Sequence, residues 1–345
     1  MQEDQKDIEK QDTWMEHPFS KSCSIAERYK RLMDLIHTED SLAIIINADP
    51  DSLASALALR RLFWRRAKKI NIFRINVVKR PDNLAFIKSL NIENQHIRKL
   101  KIHNFTRFAL LDSQPHHHEM FRRFQFDIII DHHPFNNSSK ARFLDIREEY
   151  GATSTILTEY LRAARIRPSP RIATALFYGI KTDTDNFMRS SLPNDINAFR
   201  FLYSFANINI IKKIESSEIT RDSLNIFIKA FEKVSFHKDM AFLYMEEVQS
   251  PDHLVILADF LLKIAEVNFT VVSGRYGSRI LVIFRNAEFK RDMGRLAERA
   301  FGKLGSAGGH INAARAEIEL ERIKGELQEG MDMGDFIFKK IKDHR

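Results

Sequence analysis

The sequence predicts an α/β protein of two domains. The first is a parallel-sheet domain with helices on both faces; a linker helix then leads to a smaller α/β C-terminal domain. Three observations carry this reading. The chain's 345 residues exceed what a single core usually organises. Short, continuous apolar runs alternate with helix-period segments across the first half, as in a sheet built from β–α–β units. That alternation breaks near Ser190 and resumes near Met240.

Taken in order, residues 1–22 show little periodicity, and Ser24-Ile25-Ala26-Glu27 is a capping box opening a helix to about His37. Leu42–Asn47 is an apolar run of the kind buried on both sides. A helix over 52–66 follows, then strand 70–77, helix 83–90 and strand 108–111. Ile128-Ile129-Ile130 is a further strand, and helices cover 152–164 and 171–180. Leu192-Pro193-Asn194-Asp195 is a turn, and a connecting helix runs over 223–234. The second domain reads as strand 240–245, helix 253–267, strands 269–272 and 279–285, and helix 290–301. A Gly-rich loop at 305–309, a strand over 316–320 and a helix over 332–341 complete it. The domain boundaries expected are 1–38 for an N-terminal extension, 39–215, a linker at 216–236, and 237–345.

Composition narrows the class. One cysteine, Cys23, excludes an internal disulfide framework and a cysteine-rich zinc site. The polar stretch Met1–Gln11 lacks the core of a signal peptide, and no apolar run reaches the roughly 18 residues needed to span a bilayer. A soluble cytoplasmic protein without membrane contact or an obligate protein partner is therefore expected. The net charge of +8 favours polyanionic partners, although basic and acidic residues are mostly interspersed. The densest basic stretch, Arg60 to Lys69, reads as one amphipathic helix with a solvated polar face; a nucleic-acid patch is the other reading.

In open parallel sheets, ligands bind beyond the carboxyl ends of the strands. The residues there are Asp49 and Asp51 after the first apolar run, Asp112 after 108–111, Asp131-His132-His133 after 128–130, and Asp183 beyond Gly179-Ile180. Each alone is commonly a cap or turn residue. Together they form an Asp/His set without Cys, which suits Mn²⁺, or else Mg²⁺ or another divalent ion. Such an edge can activate water and clamp a phosphoryl oxygen.

The motifs also resemble those of the DHH phosphoesterase superfamily. Ile128–Pro134 is similar to its name-giving motif, Asp49–Ser55 to the first, and Leu110–Ser113 to the second. Gly151–Thr155 is similar to the segment after the triplet, and Gly179–Phe187 to the fourth motif. Gly305–His310 with Ala313-Ala314-Arg315 resembles the glycine-rich loop of the DHH-associated C-terminal domain. The resemblance implies that Asp51, Asp112, His132 and Asp183 hold one metal, and that Asp49 and Asp112 hold a second. His133 would contact the scissile phosphate and assist the leaving group, with Asp131 orienting the triplet. Arg285, Gly308, Gly309 and His310 would bind the substrate.

One position departs from the pattern. The family places a metal-binding His four residues before the first Asp, where this chain has Ile45. Asn47 and His116-His117-His118 are the nearby donors, the His run reading mainly as a solvated loop. The function implied is hydrolysis of phosphodiester or phosphomonoester bonds in short oligonucleotides or nucleotides, as in the branch acting on oligoribonucleotides and 3′-phosphoadenosine 5′-phosphate. An inorganic polyphosphatase and a catalytically weakened nucleotide-binding or regulatory homologue are the alternatives.

Overall fold

A computed structural model describes residue 19 and residues 23–188, 192–217, 219, 221, 224–288, 291–327 and 330–344. Apart from Phe19, the expected lead-in over 1–22 lies outside these residues, as do residues 223 and 290, the first of the helices expected over 223–234 and 290–301. The chain divides into two compact units, Met1–Ser217 and Glu218–Arg345.

The first unit is built on a six-stranded parallel sheet. Its strands are β1 (Ser41–Ile46), β2 (Lys69–Arg74), β3 (Gln95–His96), β4 (Arg107–Leu111), β5 (Ile128–Asp131) and β6 (Phe143–Ile146), in the order β3-β2-β1-β4-β5-β6. The order reverses between β1 and β4, which opens a crevice beyond their carboxyl ends. Leu42 to Ile46 are all buried, as a continuous apolar run requires.

The α-helices are α1 (Ile25–Asp34), α2 (Pro50–Leu62), α3 (Pro81–Ser89), α4 (Thr153–Ala163), α5 (Pro170–Asp183), α6 (Pro193–Tyr203) and α7 (Ile208–Glu215). Side chains from α1, α2, α4 and α5 pack with Leu42, Ile44, Ile46 and Leu111 on one sheet face. The opposite face, with Ala43, Ile45, Leu110 and Ile129, is covered by Ile97, Phe105, Phe121 and Phe126 from loops and 3-10 turns. The expected helices of that second face are thus reduced to single turns. Strands β3 and β6 fall outside the sequence expectation; β3 is only two residues long, and β6 carries the charged Asp145 within its apolar run.

The second unit holds a mixed six-stranded sheet. It comprises β7 (Ser235–His237), β8 (Met240–Glu247), β9 (Phe269–Tyr276), β10 (Arg279–Asn286), β11 (Gly305–Gly309) and β12 (Ala313–Glu319), in the order β11-β12-β10-β9-β8-β7. Among the described residues of this unit, only β8 and β9 pair in parallel. Its helices are α8 (Leu224–Lys233), α9 (Pro251–Leu261), α10 (Met293–Phe301), α11 (Leu320–Lys324) and α12 (Met333–His344). The expected linker helix is α8; it buries Phe227 and Ala230 in the same core as Leu243, Leu254 and Leu257. The expected loop at 305–309 is instead strand β11, because its backbone pairs along β12 from Gly305–Ile318 to Gly309–Ala314.

Two antiparallel helices carry Asp51 and Asp183 to the crevice of the first unit, beside the residues that follow β4 and β5. Helix α2 starts at the crevice with Asp49 as N-cap, its Oδ1 accepting the Ser52 N–H at 2.8 Å. Helix α5 arrives there with its last turn. A Cβ at Gly179 would lie 2.6 Å from Ser154 Oγ and 3.2 Å from the Asp51 Cα, so only glycine permits this approach. Helix α4 is held at its start by Asp195. That fully buried carboxylate accepts the Gly151 N–H at 3.0 Å, the Thr155 hydroxyl at 2.6 Å and the Leu192 N–H at 2.8 Å.

Replacing Asp195 by Ala strands those three donors, each costing about 1–3 kcal/mol when buried without a partner. Asp195→Ala is expected to lower unfolding stability by about 3 kcal/mol or more, read from urea denaturation. A loss within about 0.5 kcal/mol of zero would contradict this account.

Candidate metal centre

Asp51, in the first turn of α2, points at the start of α4. Its Oδ2 accepts the Thr153 N–H and its Oδ1 the Ser154 N–H, both at 2.7 Å. The positive end of α4 thus faces a carboxylate from another helix. Asp112 follows β4 in the left-handed region, at φ 57°, which Asp tolerates better than most residues. Its amide donates to the Ile130 carbonyl at 2.9 Å, and its Oδ1 accepts the Thr153 hydroxyl at 3.0 Å. Thr153 therefore touches both carboxylates.

His132 and His133 leave the end of β5 in different directions. His132 Nδ1 lies 3.0 Å from the Tyr150 carbonyl, which can only accept, so Nδ1 carries the proton. Nε2 then faces Asp183 Oδ2 at 2.9 Å and Asp112 Oδ1 at 3.5 Å. His133 Nδ1 lies 2.8 Å from Asp131 Oδ1, and the His133 side chain is 44% exposed. Asp131 is wholly buried, and its Oδ2 accepts from Gln114 Nε2 at 2.8 Å.

The electrostatics are those of an acid cluster short of cations. Burial, then the charges of Asp51 and Asp183, raise Asp49 from the ordinary 3.8 to about 7. Burial and neighbouring carboxylates push Asp51 up and Asp112 well up. Burial alone would lower His132, but its hydrogen bond to Asp183 and the charges of Asp183 and Asp51 outweigh it and bring it to about 9. His133 is raised, chiefly by its bond to Asp131. Burial opposes ionisation of Asp131, yet His133 and Gln114 more than compensate and hold it below its ordinary value.

The ligand atoms of Asp51, His132 and Asp183 lie within 4.8 Å of one another, as do those of Asp112, His132 and His133. These buried oxygens and imidazole nitrogens fit a divalent ion such as Mn²⁺ or Mg²⁺. Asp49 joins neither group at ligand distance, although its charge is felt by Asp112. Asp183 does not end a strand, as the sequence pattern had suggested; it closes α5, three residues beyond the expected helix end at 180. Ile45 is completely buried on the sheet face away from α2, beside Phe73 and Leu110 in register. Asn47 is exposed.

The His run does more than form a solvated loop. His117 Nδ1 accepts the Gln114 N–H at 3.1 Å, and its ring stands 5.3 Å from that of His133. A ligand group of His117, Asp131 and His133 results. Sequence reasoning missed Gln114, which is wholly buried and ties the loop after the triplet together. Its Nε2 also donates to the Pro134 carbonyl at 3.0 Å, while its Oε1 accepts the Asn136 N–H at 3.0 Å and the Ser139 hydroxyl at 3.1 Å.

In the second unit, Arg285 on β10 is paired with Asp259, Nε to Oδ1 at 2.7 Å. The Gly-run backbone lies in a ladder, and the His310 N–H is taken by the Ala313 carbonyl at 2.8 Å, so it is not a free anion cradle. Gly308 faces open space, whereas a Cβ at Gly309 would lie 2.4 Å from the Ala313 oxygen.

The raised groups fix the sign of a pH dependence. With Asp49 bound to its proton up to about 7 in the folded state, against 3.8 ordinarily, stability without a divalent ion falls as pH rises between those values. His132, raised from 6.5 to about 9, adds stability below 6.5 that is lost as pH rises through about 9. Melting temperature in chelator should therefore fall steadily from about pH 5 to about pH 9, and stabilisation by added Mn²⁺ should be largest at the alkaline end. A flat profile would count against a cation-deficient cluster.

Similarity to known proteins agrees with this geometry. An uncharacterised protein of Methanocaldococcus jannaschii is 35% identical over 303 residues, covering 86% of this chain and 62% of that protein. An A-adding tRNA nucleotidyltransferase of Geobacter sulfurreducens is 26% identical over 306 residues, 83% of this chain and 32% of that one. The chain thus spans about three-fifths of the first of these relatives and about a third of the second. An exopolyphosphatase-related protein of Bacteroides fragilis has a similar fold, with TM-score 0.70, 16% identity, and coverage of 94% of this chain and 98% of that chain. RecJ of Thermus thermophilus, solved with Mn²⁺, has TM-score 0.54 at 12% identity, over 93% of this chain and 54% of that one. Residues 41–180, which carry Asp49, Asp51, Asp112 and Asp131-His132-His133, match the model of the DHH family, N-terminal domain.

Proposed function

We propose that the chain is a metal-dependent phosphoesterase that hydrolyses phosphodiester or phosphomonoester bonds of short oligonucleotides or nucleotides. The observation that carries this reading is the meeting of Asp51, Asp112, Asp183, His132 and His133 at ligand distances beyond the sheet's switch point. Asp51, Asp112, His132 and Asp183 would hold the ion, Mn²⁺ being the first choice for this donor set, and Asp49 would serve a second ion with Asp112. A bound divalent ion supplies a water of lowered pKa and a counter-charge to phosphoryl oxygens.

The remaining steps belong to the protein. The Tyr150 carbonyl fixes the His132 tautomer, leaving Nε2 for the ion. Asp131 holds the Nδ1 proton of His133 and favours the imidazolium, so Nε2 of His133 can donate a proton to the leaving oxygen. Gln114 holds Asp131 in place and adds to the effect of His133 in keeping it ionised. Of the residues Arg285, Gly308, Gly309 and His310 expected to take a distal phosphate, the glycine-run backbone and the His310 N–H are already engaged, so that role would fall to the Arg285 guanidinium, after exchanging Asp259 for the phosphate, and to the His310 side chain.

The test is a turnover panel with Mn²⁺ offering dinucleotides, 3′-phosphoadenosine 5′-phosphate and inorganic polyphosphate. Hydrolysis of the nucleotides is expected. Asp112→Ala should reduce it about a thousandfold, corresponding to several kcal/mol of lost charge stabilisation. Gln114→Ala should cost about 10–100-fold in kcat, as outer partners of ligands do, and should move the alkaline limb that reports loss of the His133 proton to lower pH. Nucleotide binding without turnover by the wild type would favour the weakened homologue, and turnover of polyphosphate alone would replace the substrate class.

A further inference from the structure

At the far end of α2 from Asp49 and Asp51, Arg60, Arg61 and Trp64 line a cavity of about 150 Å³ together with Ser169 and Arg171 at the start of α5. Along the helix, Arg60 lies nine residues beyond Asp51, which at about 1.5 Å each puts it about 14 Å from the acid cluster. Its construction costs stability in three ways. Arg60 and Arg171 stand close enough to depress Arg60 below its ordinary pKa, burial being the larger cause and the Arg171 charge the next. Arg171 occupies the first turn of α5, where the helix dipole disfavours a cation. Its Nε is buried without a hydrogen-bond partner, although its Nη2 reaches the Asn91 carbonyl at 2.8 Å. Among the described residues, the carboxylate paired with Arg60 is Glu93, at 3.6 Å on a side chain 78% exposed. Over this positive cavity stands Trp64, 62% exposed, a large apolar ring that no core requires.

We propose that this cavity is a binding site for single-stranded nucleic acid, separate from the metal centre. A phosphate enters between Arg60 and Arg171, and the adjoining base stacks on the Trp64 indole. The phosphate supplies an acceptor for Arg171, whose Nε lacks one, and the charge that offsets the repulsion between the two guanidinium groups. Trp64 distinguishes a nucleotide chain from a bare polyanion, because only the former brings a π-face. The site extends the proposed function by retaining a strand at a point remote from the bond being cut, yet binding here needs no metal.

The test is fluorescence anisotropy of a labelled single-stranded oligoribonucleotide, measured in chelator so that nothing is hydrolysed. Trp64→Ala should weaken binding roughly tenfold, a loss that Trp64→Phe largely restores. The double variant Arg60→Glu with Arg171→Glu should weaken it further and reduce the slope of log affinity against log salt by about 1.4, two single-strand phosphate contacts' worth. Turnover of a dinucleotide should be unchanged in Trp64→Ala, a replacement at an exposed position. Unchanged affinity in Trp64→Ala overturns the proposal, as does inorganic polyphosphate competing equally well against wild type and Trp64→Ala. Should the double variant fail to fold, the Trp64 variants decide alone. Loss of all metal-dependent turnover with this binding intact would remove the proposed reaction and leave the site.

Discussion

Four carboxylates can share one sheet edge here because Asp51 is also the cap of another helix. Its oxygens take the first amides of α4 at 2.7 Å each, so the positive end of that helix lies against the most crowded negative charge in the first unit. Thr153 extends the same contact to Asp112. Without the helix end, burial of Asp51 beside Asp49, Asp112 and Asp183 would favour a protonated cluster with little affinity for cations. The position of α4 therefore governs the chemistry of residues that lie on other elements.

What secures α4 is correspondingly elaborate. Asp195 binds the segment before it, Gly179 lets α5 close against it, and the Tyr150 carbonyl one step earlier orients His132. A second set of bonds, centred on Gln114, does the same for Asp131 and the loop behind His133. The two sets meet only at the acid cluster. Each histidine of the triplet thus has its own support, with the ring nitrogen turned away from the site held by a fixed acceptor.

The parallel sheet and the acid residues at its edge are legible in the sequence because both follow from local rules: apolar runs for buried strands and polar residues at their carboxyl ends. Asp183 is less legible. Nothing in Gly179–Asp183 marks where α5 stops, so a helix end and a strand end look alike there. Gln114 and Asp195 could not be singled out, since each acts through partners 17 to 44 residues away and occurs in an ordinary turn context. The glycine run at 305–309 was misread as a loop because glycine signals backbone freedom, whereas here it allows close pairing of β11 with β12. Ile45 followed its local pattern, as a buried strand residue should.

Helix α2 is buried on every side from Asp51 to Leu59, and α5 from Ala173 to Ile180. Helices enclosed in this way have no exposed flank from which to fray, so their amides exchange with solvent only when the whole unit opens. The backbone beneath the acid cluster therefore shares the lifetime of the fold itself. An ion held there by Asp51 would leave past the partly exposed Asp183 and His133, and not through local melting of the helix that presents it. The candidate metal centre is in this sense a rigid floor.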